Sequence, residues 1–307
     1  MYMYLPIAEM SVNIWLILGL GVAVGLLSGM FGVGGGFLLT PLLMLFGVPP
    51  AVAVSTGTSQ IIAASMSGVM AHWRRGNVDV KMALFLLAGG LVGSWLGVWL
   101  FSFLRSIGQI DLIIALTYVI FLGTLGSLML MESIRTIARE NRTKGSSRTR
   151  LHQHNWFHGL PLKTRFRRSK LYISALLPIS IGMVVGVLTA IMGIGGGFIM
   201  VPAMIYLLGM PTSLVVGTSL LQIAFVTANV TFLQAYTSQT VDIVLGIILI
   251  VGGVVGAQFG SRVGAMLQGA QLRGLLAALV LIVGSKLAFD LVIQPSELFS
   301  LVIMGRP

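Results

Sequence analysis

Hydrophobic residues run along this chain in ten blocks. Five fall at about 12–31, 36–47, 50–73, 80–104 and 110–132, and five more at about 171–192, 197–208, 211–236, 241–265 and 270–292. Residues 10–73 and 171–241 contain no Asp, Glu, Lys or Arg, so either stretch far exceeds the roughly 20 apolar residues that one crossing needs. Two blocks are short: 36–47 and 197–208 hold about 12 residues each. That is roughly 18 Å of helix, against a hydrocarbon core of about 30 Å. Each short block begins at a glycine run and ends at a proline, Pro49-Pro50 or Pro211. The pattern predicts eight full membrane-spanning helices and two half-helices that start inside the membrane.

The second five blocks repeat the first. Gly32-Val33-Gly34-Gly35-Gly36-Phe37 with Pro41 returns as Gly193-Ile194-Gly195-Gly196-Gly197-Phe198 with Pro202, 161 residues on. Gly47, Pro49, Thr56 and Gln60 match Gly209, Pro211, Thr218 and Gln222 at a spacing of 162. Asp79, Gly89, Gly90, Gly93 and Gly97 match Asp242, Gly252, Gly253, Gly256 and Gly260 at 163. The chain is therefore a duplicated unit. The expected fold is an all-α polytopic membrane protein of two homologous repeats, 1–132 and 171–307, joined by a basic loop at 133–170.

Composition agrees. Apolar residues make up 56% and charged residues 9%, with a mean hydropathy of +0.99. A soluble domain carries about 25% charged residues. The Met1–Met10 stretch lacks the basic region of a cleavable signal peptide, so none is expected. Cysteine is absent, which excludes disulfides, thiol catalysis and cysteine metal sites.

A net charge of +11 would suggest nucleic acid until it is located: 11 of the 19 Lys and Arg lie between Arg135 and Lys170. Lys and Arg gather on the cytoplasmic side of membrane proteins, where such a loop can touch anionic lipid. It has no nucleic-acid-binding signature. His152, His154 and His158 within it have no carboxylate or cysteine partner for a metal and read as a solvated loop. Arg74, Arg75 and Lys81 mark the 74–81 loop as cytoplasmic, whereas the matching Thr237–Asp242 loop has no basic residue; Arg262 and Arg273 flank the next loop. That alternation favours inverted repeats with the N-terminus outside over a parallel arrangement.

Chemistry centres on the glycine runs. Consecutive backbone N–H groups at Gly34, Gly35 and Gly36 form an anion-binding concavity, and the half-helix starting at Phe37 adds its positive N-terminal end. Gly195, Gly196, Gly197 and Phe198 repeat this. No strand precedes either run and no Lys follows it, so neither is a nucleotide loop. A bland reading, a helix-breaking turn that lets helices pack, stands beside it. Thr56, Gln60 and Ser67 share one helix face, as do Thr218, Gln222 and Asn229. Their side chains suit an oxyanion or interhelical hydrogen bonding. The Gly89–Gly97 and Gly252–Gly260 ridges read as packing surfaces. Asp79 and Asp242 occupy helix-capping positions, and Asp111 and Asp290, near span ends, are candidates for carrying a coupling proton. No catalytic constellation, cofactor site or metal site is expected. Two matching breaks in two halves point to a transporter's binding site.

Residues about 20–105 and 181–265 resemble the TauE/SafE family of bacterial membrane proteins, the sulfite exporters. The resemblance rests on Gly29-Met30-Phe31-Gly32-Val33-Gly34-Gly35-Gly36, Pro41, Ser55-Thr56-Gly57-Thr58-Ser59 and Gly76-Asn77-Val78-Asp79. The second copy contributes Met192-Gly193-Ile194-Gly195-Gly196-Gly197, Pro202 and Gly217-Thr218-Ser219. It implies an inner-membrane permease that exports sulfite, organosulfonates or related sulfur oxyanions. The long basic loop, and uncharged residues where the second half matches Arg74-Arg75-Gly76, depart from that pattern. Expected partners are a small anion and the bilayer, without nucleic acid; a homodimer is left open. A passive anion channel, a transporter of another solute and a non-transporting membrane module remain the alternatives.

Overall fold

The computed structural model describes residues 2–31, 35–140, 163–166, 168–263 and 269–292. Each of the ten hydrophobic blocks holds one helix. The first half carries α1 (Ile14–Phe31), α2 (Gly36–Leu45), α3 (Pro50–Arg74), α4 (Val80–Ser106) and α5 (Ile110–Glu140). The second repeats them as α6 (Leu176–Met192), α7 (Gly197–Tyr206), α8 (Thr212–Thr237), α9 (Ile243–Val263) and α10 (Gly269–Val292). The short helices α2 and α7, 10 residues each, are about 15 Å long. Pro50 opens α3 at a first-turn position, where its missing N–H has no helical partner to lose.

Two elements break the all-α expectation. A hairpin of β1 (Tyr2–Leu5) and β2 (Met10–Asn13) precedes α1, and one of β3 (Lys163–Phe166) and β4 (Leu171–Ser174) precedes α6. Every strand boundary in the second hairpin lies 161 residues beyond its counterpart, so the hairpins belong to the duplicated unit. Four-residue strands carry too little periodicity to stand out beside long apolar blocks. Together with α5 reaching Glu140, the second hairpin gives regular structure to both ends of the 133–170 segment.

The halves interlock. Glycines of the α4 ridge pack backbone to backbone on α6: a Cβ added at Gly89 would lie 1.9 Å from the Ile179 carbonyl oxygen, and one at Gly93 2.0 Å from that of Met183. The α9 ridge meets α1 in the same way, with Gly256 and Gly260 against the Val22 and Leu26 carbonyls. Both pairs run parallel. Equivalent helices instead cross antiparallel. The Ser55 hydroxyl near the start of α3 donates to the Thr240 carbonyl just beyond the end of α8, while Gly217 near the start of α8 packs on His72 and Asn77 at the end of α3. In the other equivalent pair, α5 and α10, Gly126 meets Leu281 and Gly284 meets Leu122.

Two buried aspartates brace the ends. Asp79 caps α4 by accepting the Met82 N–H and also accepts from the backbone and hydroxyl of Ser169, beside the second hairpin. Asp242 accepts the Leu245 N–H and, from the first hairpin, the Ile7 N–H. Each half thereby holds the hairpin that opens the other.

Four stretches among the described residues are long and apolar enough to cross a membrane: Val80–Ser106, Ile110–Leu128, Leu214–Thr237 and Ile243–Gly260. α3 has the length but is diluted by Ser55, Thr56, Thr58, Ser59, Gln60, Ser65 and Ser67. The outer helix surfaces expose Leu84, Val92, Ile120, Phe232, Ile247 and Ile282, a belt of apolar side chains that water would penalise and lipid solvates.

Candidate functional site

The second glycine run is fully described. α6 ends at Met192, and Gly193, Gly195 and Gly196 then adopt φ of 65°, 74° and 73°, the left-handed region that glycine enters without a Cβ clash. Gly193 donates to the Thr189 carbonyl, and Ile199 and Met200 both donate to the Gly196 carbonyl as α7 begins. Between them, the N–H groups of Ile194, Gly195, Gly196, Gly197 and Phe198 find no acceptor among the described residues, and all five residues are buried. The first run matches. Gly35 adopts φ 71° as the N-cap of α2, and Gly35, Gly36 and Phe37 are buried with N–H groups that find no acceptor among the described residues. Gly34, with Gly32 and Val33, lies outside the described residues.

The two turns meet. The Phe37 and Phe198 rings sit with centroids 4.7 Å apart. A Cβ added at Gly36 would lie 2.7 Å from the Gly193 carbonyl oxygen and 2.2 Å from Ile61 Cδ1. Ile61 also covers Gly195, and Ile223 borders it. Eight buried N–H groups at the facing starts of two helices form a donor-rich, partly positive surface, with the Gly193 and Ile194 carbonyls beside Gly36. Leaving such groups unpaired costs about 1–3 kcal/mol each, and buried backbone N–H groups in folded proteins are almost always paired. Helix N-termini with free N–H groups are the usual place for an anion's oxygens to bind.

The other expected site residues fall elsewhere. The Thr56 hydroxyl accepts the Asp242 N–H at 3.0 Å, and the Thr218 hydroxyl accepts the Asp79 N–H at 3.0 Å. These residues hold helix ends and do not reach the glycine turns in the described contacts. Gln60 donates to the Gly21 carbonyl at 3.2 Å and packs on Gly253, at the α1–α9 seam. Gln222 packs on Gly90 of α4. Both glutamines are almost fully buried, and among the described residues neither the Gln60 Oε1 nor either polar atom of the Gln222 amide has a partner. Asp111 is exposed and accepts the Ala51 N–H at the start of α3. Asp290 pairs with Lys286 one turn away in an exposed ion pair. His152, His154 and His158 lie outside the described residues.

One contributor escaped the sequence reading. Tyr118 of α5 is fully buried and donates its hydroxyl to the Met192 carbonyl, which pins the end of α6 one residue before the turn. A tyrosine deep in an apolar span needs a hydrogen-bond partner, and that is the signal that could have singled it out.

Fold and site together define a multi-pass helical membrane protein whose two interlocked halves bring two half-helix starts to one buried point. The chain belongs to the sulfite exporter TauE/SafE family, whose profile matches residues 17–287. It is 29% identical to the probable membrane transporter protein YjnA of Bacillus subtilis over 91% of this chain and 100% of that protein. It is 27% identical to YunE, also named a probable membrane transporter protein of Bacillus subtilis, over 88% of this chain and 96% of that one. A shorter match, 31% identical over 39% of this chain and 26% of the relative, is to sulfite exporter TauE/SafE family protein 3 of Arabidopsis thaliana. No solved structure matches the chain.

Proposed function

We propose that the protein is an integral membrane transporter that exports a small sulfur oxyanion, sulfite or an organosulfonate, by alternating access. The observation that carries this reading is the set of eight buried N–H groups at the two glycine turns, which lack acceptors among the described residues. Such a surface attracts an anion and has no side-chain carboxylate to hold a cation. The family description and the names of the relatives favour sulfur oxyanions and transport over other anions and other roles. The unpaired Gln222 amide is the side-chain group best able to join the cradle when the helices shift.

In this reading each half, 1–132 and 171–307, contributes four full spans and one half-helix, inverted relative to the other. The antiparallel crossings of α3 with α8 and of α5 with α10 support the inversion. Arg74, Arg75 and Lys81 share an end of the bundle with the hairpin at the close of the basic 133–170 segment, which supports a cytoplasmic position for that end in a bacterial inner membrane. The 133–170 segment would then meet anionic lipid. Any coupling proton on Asp111 or Asp290 would be carried at the opposite membrane face, away from the cradle.

Binding in detergent tests the cradle. Sulfite or ethanesulfonate should raise the unfolding temperature by several degrees at saturation, as ligand linkage requires. Gly195→Ala, whose Cβ would lie 2.8 Å from Ile61 Cγ2 in a left-handed backbone, should remove that shift while the protein still elutes as one species. An undiminished shift in this variant would rule the cradle out.

A further inference from the structure

A cavity of about 500 Å³ lies between the C-terminal halves of α1, α3 and α9. Buried Ser28 and half-buried Ser67 line it together with exposed Gln258, and His72, Arg74 and Arg75 line it at the end of α3. No Asp or Glu is among its walls. Both arginines are exposed, and among the described residues no carboxylate pairs with either. The His72 Nδ1 is buried without a partner among the described residues. Ser28 ties the cavity to the glycine turn, because a Cβ added at Gly35 would lie 2.8 Å from the Ser28 Cβ. From His72 to Ile61, which covers both turns, is 11 residues of α3, or about 16 Å.

Basic residues at a helix end can serve merely to anchor it at the cytoplasmic surface. The duplication separates that role from a binding one. The repeat spacings set Ala190, Val226, Asn229, Val230, Gln234 and Tyr236 where the first half has Gly29, Ala64, Ser67, Gly68, His72 and Arg74. There the corresponding space is filled. Ala190, Val226 and Val230 are buried in one apolar cluster with Val98. The Gln234 amide donates to the Ala190 carbonyl at 2.9 Å, and the Asn229 amide donates to the Ser94 hydroxyl at 2.8 Å. Cavity and a pair of guanidinium groups occur together at one end of the bundle; at the equivalent place at the other end the described residues fill the space, and the guanidinium there, Arg105, donates to the Ser238 carbonyl.

The geometry points to this cavity as an anion-capture site, where the exported oxyanion is first bound by Arg74 and Arg75 before it reaches the glycine turns; this rests on the transport reading above. Two guanidinium groups beside low-dielectric walls focus a positive potential that raises local anion concentration and on-rate by about 10- to 1,000-fold. Their planar donor pairs match the oxygens of sulfite or a sulfonate. Ser67 and the free His72 nitrogen offer the next polar contacts inward. The filled counterpart is the closed side of the pathway in this conformation, held by the Gln234 and Asn229 bonds.

The cysteine-free chain allows a direct test with Ser67→Cys as a lone reporter. In sealed vesicles of known sidedness, a sulfonate-bearing methanethiosulfonate should modify it at least tenfold faster than a trimethylammonium-bearing one. It should do so from the face that carries Arg74 and Arg75, and ethanesulfonate should slow the reaction. Adding Arg74→Gln and Arg75→Gln should bring the two rates within about twofold. In the chain that keeps Ser67, the same pair should raise KM for flux about tenfold at that face alone, with kcat unchanged. Equal rates for both reagents, a ratio that survives the arginine substitutions, or an equal KM rise at both faces would overturn the capture site. Absent flux in the unsubstituted protein, with the charge preference intact, would overturn the transport reading alone. Flux without the charge preference would overturn the capture site alone.

Discussion

At the scale of single residues, Thr56 and Thr218 each hold a backbone N–H group of the opposite half. Thr56 and Gln60 share a helix face and repeat as Thr218 and Gln222, which made one functional stripe of them. Their partners divide them. The threonines accept the N–H groups of Asp242 and Asp79 and so fix where one half ends against the other. Periodicity along one helix gives a face but not what packs on it, and here the packing comes from the other half, some 140 to 190 residues away. Asp79 is the sharper case: it reads as a cap and is one, but Ser169 also depends on it. Asp79→Ala should therefore cost more than the roughly 1 kcal/mol of a lost cap. Thermal unfolding in detergent should show a loss of about 2–4 kcal/mol, since Ser169 and the Met82 N–H are left unpaired. A loss confined to the capping value would mean that the hairpin is not braced. Gln222→Leu should behave oppositely. Removing a buried amide without a partner leaves stability unchanged or raised by up to about 1 kcal/mol, while flux falls at least tenfold if the amide joins the cradle.

Elements were the most legible level. Ten apolar blocks gave ten helices, and the two short ones begin at glycine turns and end near prolines as their length requires. The ridge glycines did what small-residue stripes do, with carbonyl oxygens seated where a side chain would stand. Gly93→Leu should accordingly prevent α4 from reaching α6. The expected readout is loss of a monodisperse folded species on size exclusion, because overpacking alone costs about 1–3 kcal/mol and a backbone at 2.0 Å cannot yield as a side chain can. Normal elution would show that the two helices part without consequence. The hairpins were the illegible elements. Tyr2–Leu5 and Lys163–Phe166 share no residue at matched positions, and only their common 161-residue offset connects them.

For the whole molecule, duplication was plain in the sequence, but the relation between the copies needed contacts. Charge counts favoured inversion only through loops such as Thr237–Asp242, whose lack of Lys and Arg is weak information. Antiparallel crossing of equivalent helices is more direct, since it fixes how α3 and α8 run whatever the loops carry. In the proposed inverted arrangement, exchanging the conformations of the two halves would exchange which end is open, so a cavity at one end goes with a filled counterpart at the other. Central to all of this is the proposal that the paired glycine turns carry an anion across. Radiolabelled sulfite or sulfonate counterflow in proteoliposomes tests that most directly. Saturable uptake driven by the same unlabelled anion inside, and abolished by Gly195→Ala, is the expected result. No counterflow, or flux that rises linearly with concentration and survives Gly195→Ala, would contradict it.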